Sequence, residues 1–154
     1  MAEKKEGKKA GSCGCKEPDP RQYLYKEHEV GLSVEDSIID YMAELKKTKD
    51  VKVNVTCRGY AMSAAAMILA CATGNRSATK HSTIMLHEGS AFSLGKNSDI
   101  QASAKHSSHM EIMANNLLEE KTKESSVWWK DNTRTDLFLS AREALDLGVI
   151  DEII

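Results

Sequence analysis

No apolar run in this chain approaches the roughly 20 residues that a membrane helix needs, so no membrane span is expected. No charge of one sign dominates either. The 21 Lys and Arg stand against 23 Asp and Glu, a net charge of −2, which argues against a nucleic-acid or membrane-surface binder. The N-terminal lysines have no apolar segment behind them, so they do not read as a secretory signal. Cysteine is scarce. Of the four, Cys57 and Cys71 sit among apolar neighbours as small buried hydrophobes. Cys13-Gly14-Cys15 offers two thiols, too few for a zinc site. Unexceptional thiols fit a reducing cytoplasm.

Proline is scarcer still. Pro18 and Pro20 are the only two, and both lie in a first segment rich in Lys, Glu and Gly. That segment, residues 1–20, cannot bury enough surface to offset its ordering entropy and reads as a flexible tail. Residues 21–154 read as one domain. A chain of 154 residues can bury roughly two-thirds of its unfolded surface, so it needs no disulfide or metal to hold it.

What the chain does have is a strand–turn–helix stretch from Val51 to Ala72. Val51, Val53, Val55 and Cys57 alternate with Lys52, Asn54 and Thr56, the period of a half-buried strand. Arg58, Gly59 and Tyr60 break the alternation. After Ser63 come Ala64 to Ala70, a run of helix formers almost without polarity. Ser63 therefore stands on the first turn of a buried helix, where free N–H groups favour a developing negative charge. The same position is also that of a plain N-cap.

Around this stretch the remaining elements follow in order. Tyr23 to Tyr25 suggests a short edge strand. Ser33 caps a helix whose stripe is Ile38, Ile39, Met42 and Leu45, with Lys46, Lys47 and Lys49 at its end. Gly74 to Ser77 reads as a helix stop and loop, Thr83 to Leu86 as a strand delivering His87, and Gly89 to Asn97 as a loop. From Ser98 to Lys123 the spacing predicts one long helix with a polar flank. Its sparse apolar positions include Met110, Ile112, Met113, Leu117 and Leu118, poorly covered in a monomer and suited to a subunit contact. Ser140 and Glu143 form a capping box for a helix that Gly148 closes, and Val149-Ile150 supplies a last strand. Alternating strands and helices indicate an α/β domain.

A serine hydroxyl needs a base to take its proton, and the base works best when a carboxylate fixes its tautomer. Of the five histidines, His87 alone ends an apolar strand. Asp136 precedes Leu137-Phe138-Leu139, where its side chain could be partly buried. Each has a plainer reading, His87 as a loop residue and Asp136 as a turn or cap. His106 and His109 lie three apart on the long helix, but no Cys or placed carboxylate completes a metal site, and a solvated face explains them better.

Three blocks resemble the proteolytic subunit of the Clp protease family: Thr56 to Ala66, Ile84 to Glu88, and Asp136 to Ala144 running on to Leu147-Gly148-Val149-Ile150-Asp151. The resemblance runs from about Gly31 to the end. It implies a ClpP/crotonase-like α/β fold of repeated β-β-α units with a projecting handle helix, here Asp99 to Lys123. It implies a serine endopeptidase with Ser63 as nucleophile, His87 as general base and acid, and Asp136 as the orienting carboxylate. The Ala64 N–H would donate to the oxyanion. Gly95 would lie beside the strand on which peptides pair. The further implications are a homo-oligomer of stacked rings, peptide or unfolded-protein substrates, and an AAA+ unfoldase partner that uses the ATP. The subunit itself would hold no cofactor.

The chain departs from the family where a Ser-Pro-Gly-Gly segment supplies the second oxyanion donor. The place reads Glu29-Val30-Gly31-Leu32-Ser33, which implies an N-terminally shortened member with Gly31 in that role. Two other readings stand beside the protease. One is a weak or inactive ring subunit that modulates a complete partner; the other is a crotonase-like enzyme of acyl thioesters.

Overall fold

The computed structural model describes residues 34–154, with side chains from Ser37 onward. The expected tail, the Tyr23–Tyr25 strand, the Ser33 cap and the Cys13–Cys15 pair lie outside the described residues.

Helix α1 spans Val34–Lys49. It turns Ile39 and Met42 inward against Cys71, while Ile38 stays exposed. Asp50 stops it with a φ of 53°, a left-handed angle that Asp tolerates better than most side chains. The strand expected over Val51–Cys57 is shorter, β1 being Val55–Cys57. Upstream of it the Val53 N–H donates to Thr73 Oγ1 and its carbonyl accepts from the Gly74 N–H. That part of the chain meets a loop instead of a strand. A side chain at Gly74 would collide with Asn54 Oδ1, so glycine is what permits the approach.

Strand β2 (Tyr60–Met62) follows after two residues, then α2 (Ala64–Ala70), β3 (Arg76–Ala78) and β4 (Thr83–Leu86). The loop expected at Gly74–Ser77 thus gives way to a strand. Its signal was hidden because the inward residues are Ser77 and Ala78, both buried and neither strongly apolar. Helix α3 runs Asn97–Lys121, 25 residues, about 37 Å at 1.5 Å per residue. It stops two residues before the expected Lys123 because the Thr122 N–H and hydroxyl both turn back to the Leu118 carbonyl. The apolar positions expected to lie open on it divide. Leu118 is buried and Leu117 packs against the Ile39–Met42–Cys71 cluster, while Ile112 and Met113 are exposed.

Helix α4 (Ser126–Asn132), strand β5 (Leu137–Ser140), helix α5 (Ala141–Asp146) and strand β6 (Glu152–Ile153) complete the chain. The capping box stands as read, with the Glu143 N–H donating to Ser140 Oγ and the Ser140 N–H to the Glu143 carboxylate. Those bonds hold the Glu143 carboxyl below its usual range. The last strand does not begin at Val149-Ile150. Both residues are fully buried, and their N–H groups return to the Ala144 carbonyl of α5.

The strands form two sheets. Sheet A is parallel throughout, in the order β1-β3-β6; sheet B has the order β2-β4-β5, with β2 and β4 parallel and β5 antiparallel. Trp129, Leu69, Ile84, Val149 and Ile150 centre the main core. Arg76, first residue of β3, binds the Asp151 carboxylate through Nε and a second guanidinium nitrogen at 3.0 and 2.6 Å. Its third nitrogen donates to the Ala70 and Lys121 carbonyls, the last residues of α2 and α3. One guanidinium thereby joins sheet A to the ends of two helices. Among the described residues, no helix is long and apolar enough to cross a membrane.

Candidate active site

The site begins with the bend that carries the chain from sheet A to sheet B. Gly59, at φ 98°, makes the turn that a side chain would resist. Ser82 fixes it: the Ser82 hydroxyl donates to the Cys57 carbonyl and accepts from the Gly59 N–H. Strand β2 then runs beside β4 in the register Tyr60↔Thr83, Ala61↔Ile84, Met62↔Met85.

Ser63 extends that register by one step, its N–H donating to the Met85 carbonyl at 2.8 Å. Its own carbonyl already accepts from the N–H groups of Ala66 and Met67. A single residue therefore closes the strand and opens the helix. The backbone meets that demand with φ 54° and ψ −121°, a strained conformation for a residue with a Cβ. The plain N-cap reading fails here, because the Ser63 side chain makes no cap hydrogen bond. Its Oγ lies 2.8 Å from His87 Nε2. The N–H groups of Ala64 and Ala65, at the positive end of α2, have no acceptor among the described residues.

His87 follows β4 and is half-buried. On its other side β5 runs antiparallel, with Leu86↔Leu137 as the last pair. One more step of that register sets His87 opposite Asp136. His87 and Asp136 thus share one row at the end of sheet B, and Ser63 lies one step back on β2, opposite Leu86. The row is unevenly engaged. Asp136 is exposed, and among the described residues it has no hydrogen-bond or ion-pair partner. The partial burial expected for it does not occur, because β5 is the edge strand and its first residues face solvent.

Two further tenants of the neighbourhood carried no sequence signal. The Glu88 N–H, next to the base, donates to the Thr133 carbonyl at 2.7 Å; a backbone acceptor leaves no mark in a side-chain pattern. Phe92 and Leu94, in the loop after His87, are almost fully exposed. Gly95 lies in the same loop, Gly31 lies outside the described residues, and His106 and His109 are exposed on α3.

Chemically, a hydroxyl hydrogen-bonded to an imidazole can serve as a nucleophile with a base beside it. Residues 31–154 match the family described as Clp protease. The ATP-dependent Clp protease proteolytic subunit 1 of Prochlorococcus marinus (strain MIT 9312) is 33% identical over 141 residues, covering 90% of this chain and 70% of the relative. Its counterpart from Prochlorococcus marinus subsp. pastoris is 32% identical over 141 residues, with 90% and 69% covered. The ATP-dependent Clp protease proteolytic subunit 3 of Frankia casuarinae is 35% identical over 103 residues, 66% of this chain and 48% of that one. On the extent of these matches, the chain belongs to the Clp protease family.

Proposed function

We propose that this chain is a serine endopeptidase that cleaves peptides or unfolded proteins through an acyl-enzyme. The observation that carries the reading is the 2.8 Å contact between Ser63 Oγ and His87 Nε2. In the proposed reaction, Oγ attacks the scissile carbonyl carbon as its proton passes to Nε2. The oxyanion collects on the free N–H of Ala64, with Gly31 as second donor. Collapse breaks the C–N bond, and the imidazolium returns its proton to the leaving amine. Water then repeats the sequence against the ester, and Ser63 is released. Asp136, opposite His87 one step past the last β4–β5 pair, swings onto His87 Nδ1 and holds the tautomer that this cycle requires.

The reading extends to assembly. The ClpP-like domain stacks as rings around a chamber, with α3 as the handle between them. The exposed Ile112 and Met113 on that helix support this. A partner AAA+ unfoldase hydrolyses ATP and feeds the chamber, and the subunit itself uses no cofactor. The compartment is the cytoplasm.

The test is labelling by a fluorophosphonate probe with Ser63→Ala as control, run beside sedimentation at micromolar concentration. Labelling of the wild type alone is expected, together with a large homo-oligomer that Ile112→Lys with Met113→Lys divides. An unlabelled, folded wild type overturns the enzymatic reading. A wild-type monomer of 17.0 kDa overturns the ring.

A further inference from the structure

We propose that Thr133, fixed by Trp129 and Thr122, is a positioning residue for the base. The inference rests on reading His87 as that base and adds the device that sets its place. The residue after it, Glu88, continues β4 past the last ladder pair. The register, carried on, would set Glu88 opposite Thr135, two residues ahead of β5. Its N–H instead donates to Thr133, at the C-terminal end of α4, over 2.7 Å. The exit of the base-bearing strand is therefore held by a helix end and not by an exposed edge strand.

That helix end is itself over-determined. Thr133 is buried, and both its N–H and its Oγ1–H donate to the Trp129 carbonyl, at 2.9 and 2.8 Å. Trp129 is fully buried, and its Nε1–H donates to Thr122 Oγ1 at 2.9 Å. Thr122 Oγ1 in turn donates to the Leu118 carbonyl in the last turn of α3 at 2.6 Å. Trp128 stacks edge-on against Trp129 with ring centroids 4.9 Å apart. Every link is a defined donor on a defined acceptor, so the chain from Leu118 to Glu88 has little slack. Asp136 lies only three residues beyond Thr133, so the same fixed point sets where the acid strand begins.

A buried threonine that served packing alone would tolerate valine, its near-isostere. A positioning threonine would not, because valine removes the Oγ1–H donor while keeping the shape. The experiment uses the full chain as Thr133→Val, Thr133→Ser and Trp129→Phe. It reads Glu88 amide exchange by NMR and the kcat and KM of a fluorogenic peptide. Thr133→Val is expected to speed Glu88 exchange about tenfold and to lower kcat about 10- to 100-fold with KM unchanged. Thr133→Ser should restore both. Should Thr133→Val not fold, Trp129→Phe takes its place, since it keeps an aromatic ring while removing the Nε1–H along with part of the indole. Wild-type Glu88 exchange in a folded Thr133→Val, or in Trp129→Phe where the valine variant does not fold, overturns the proposal. A Thr133→Ser no better than valine does the same. If the wild type cleaves nothing, the enzymatic reading falls, and Glu88 exchange alone decides whether the pin exists.

Discussion

The two sheets have the same number of strands and opposite characters. Sheet A is parallel, its central strand β3 buries Ser77 and Ala78, and Arg76 ties it by charge to Asp151 and to two helix ends. Sheet B keeps one face open, with Tyr60, Met62 and Phe138 exposed on it, and ends at Ser63, His87 and Asp136. One sheet is tied at its centre by an ion pair; the other ends in the candidate site. The lesson is that the proposed chemistry sits on the more open sheet, beside the Glu88–Thr133 bond to the end of α4.

If that division holds, mutations should separate cleanly into those that stop reaction and those that loosen the fold. The largest effect is expected from Ser63→Ala or His87→Ala. Either should lower kcat by about a million-fold, or roughly 8 kcal/mol of barrier, with no loss of thermal stability. Asp136→Asn should come next, at about 10,000-fold in kcat. An unchanged rate there would show that Ser63 and His87 suffice as a pair, and that the open position of Asp136 is its working state.

Arg76→Met tests the other sheet. It should cost about 2–3 kcal/mol of stability in a denaturant titration, leaving the kcat of the folded fraction as it was. The Arg76 hydrogen bonds hold the Asp151 carboxyl below its ordinary value, against the opposing effect of burial. That contribution is fully present above the unfolded pKa of about 3.9 and is lost as pH falls through the lower folded value. The acid limb of the wild-type stability curve should therefore flatten in Arg76→Met. The smallest change in stability is expected from Ser63→Gly, which relieves the strained φ of 54°. A gain of about 1 kcal/mol is expected, with activity absent. A loss of stability would mean that the Ser63–His87 contact outweighs the strain.

Much of the site was legible because its signals are local. A period-two run, a glycine, a lone serine and an alanine-rich helix lie within about 20 residues, and the Thr83–Leu86 strand falls where its apolar run places it. The capping box was readable for the same reason. The missing parts depend on distant partners. Strands β3 and β6 are short and carry Ser, Ala and Glu where a pattern would want valine. Helix α4 is seven residues long, too short to show a stripe, and is held by a buried indole. The exposure of Asp136 follows from β5 being an edge, and edge position is a property of the whole sheet. Leu117 and Ile112 look alike along the helix, yet only Ile112 lies beyond the reach of α1 and α2.

The completion of sheet A has a consequence in time. Its outer strand β6 pairs with β3 from 75 residues further along the chain. At synthesis rates of about 5–20 residues per second, β3 waits roughly 4–15 s before its second partner exists. The guanidinium of Arg76 waits equally long for Asp151. During that interval β3 has one open edge, and β1 with its bend into β2 must hold it alone. Such non-local closure makes folding slow and leaves the nascent chain open to edge-to-edge association. Sheet A therefore closes only once Glu152 and Ile153 have emerged, long after β1 and β3.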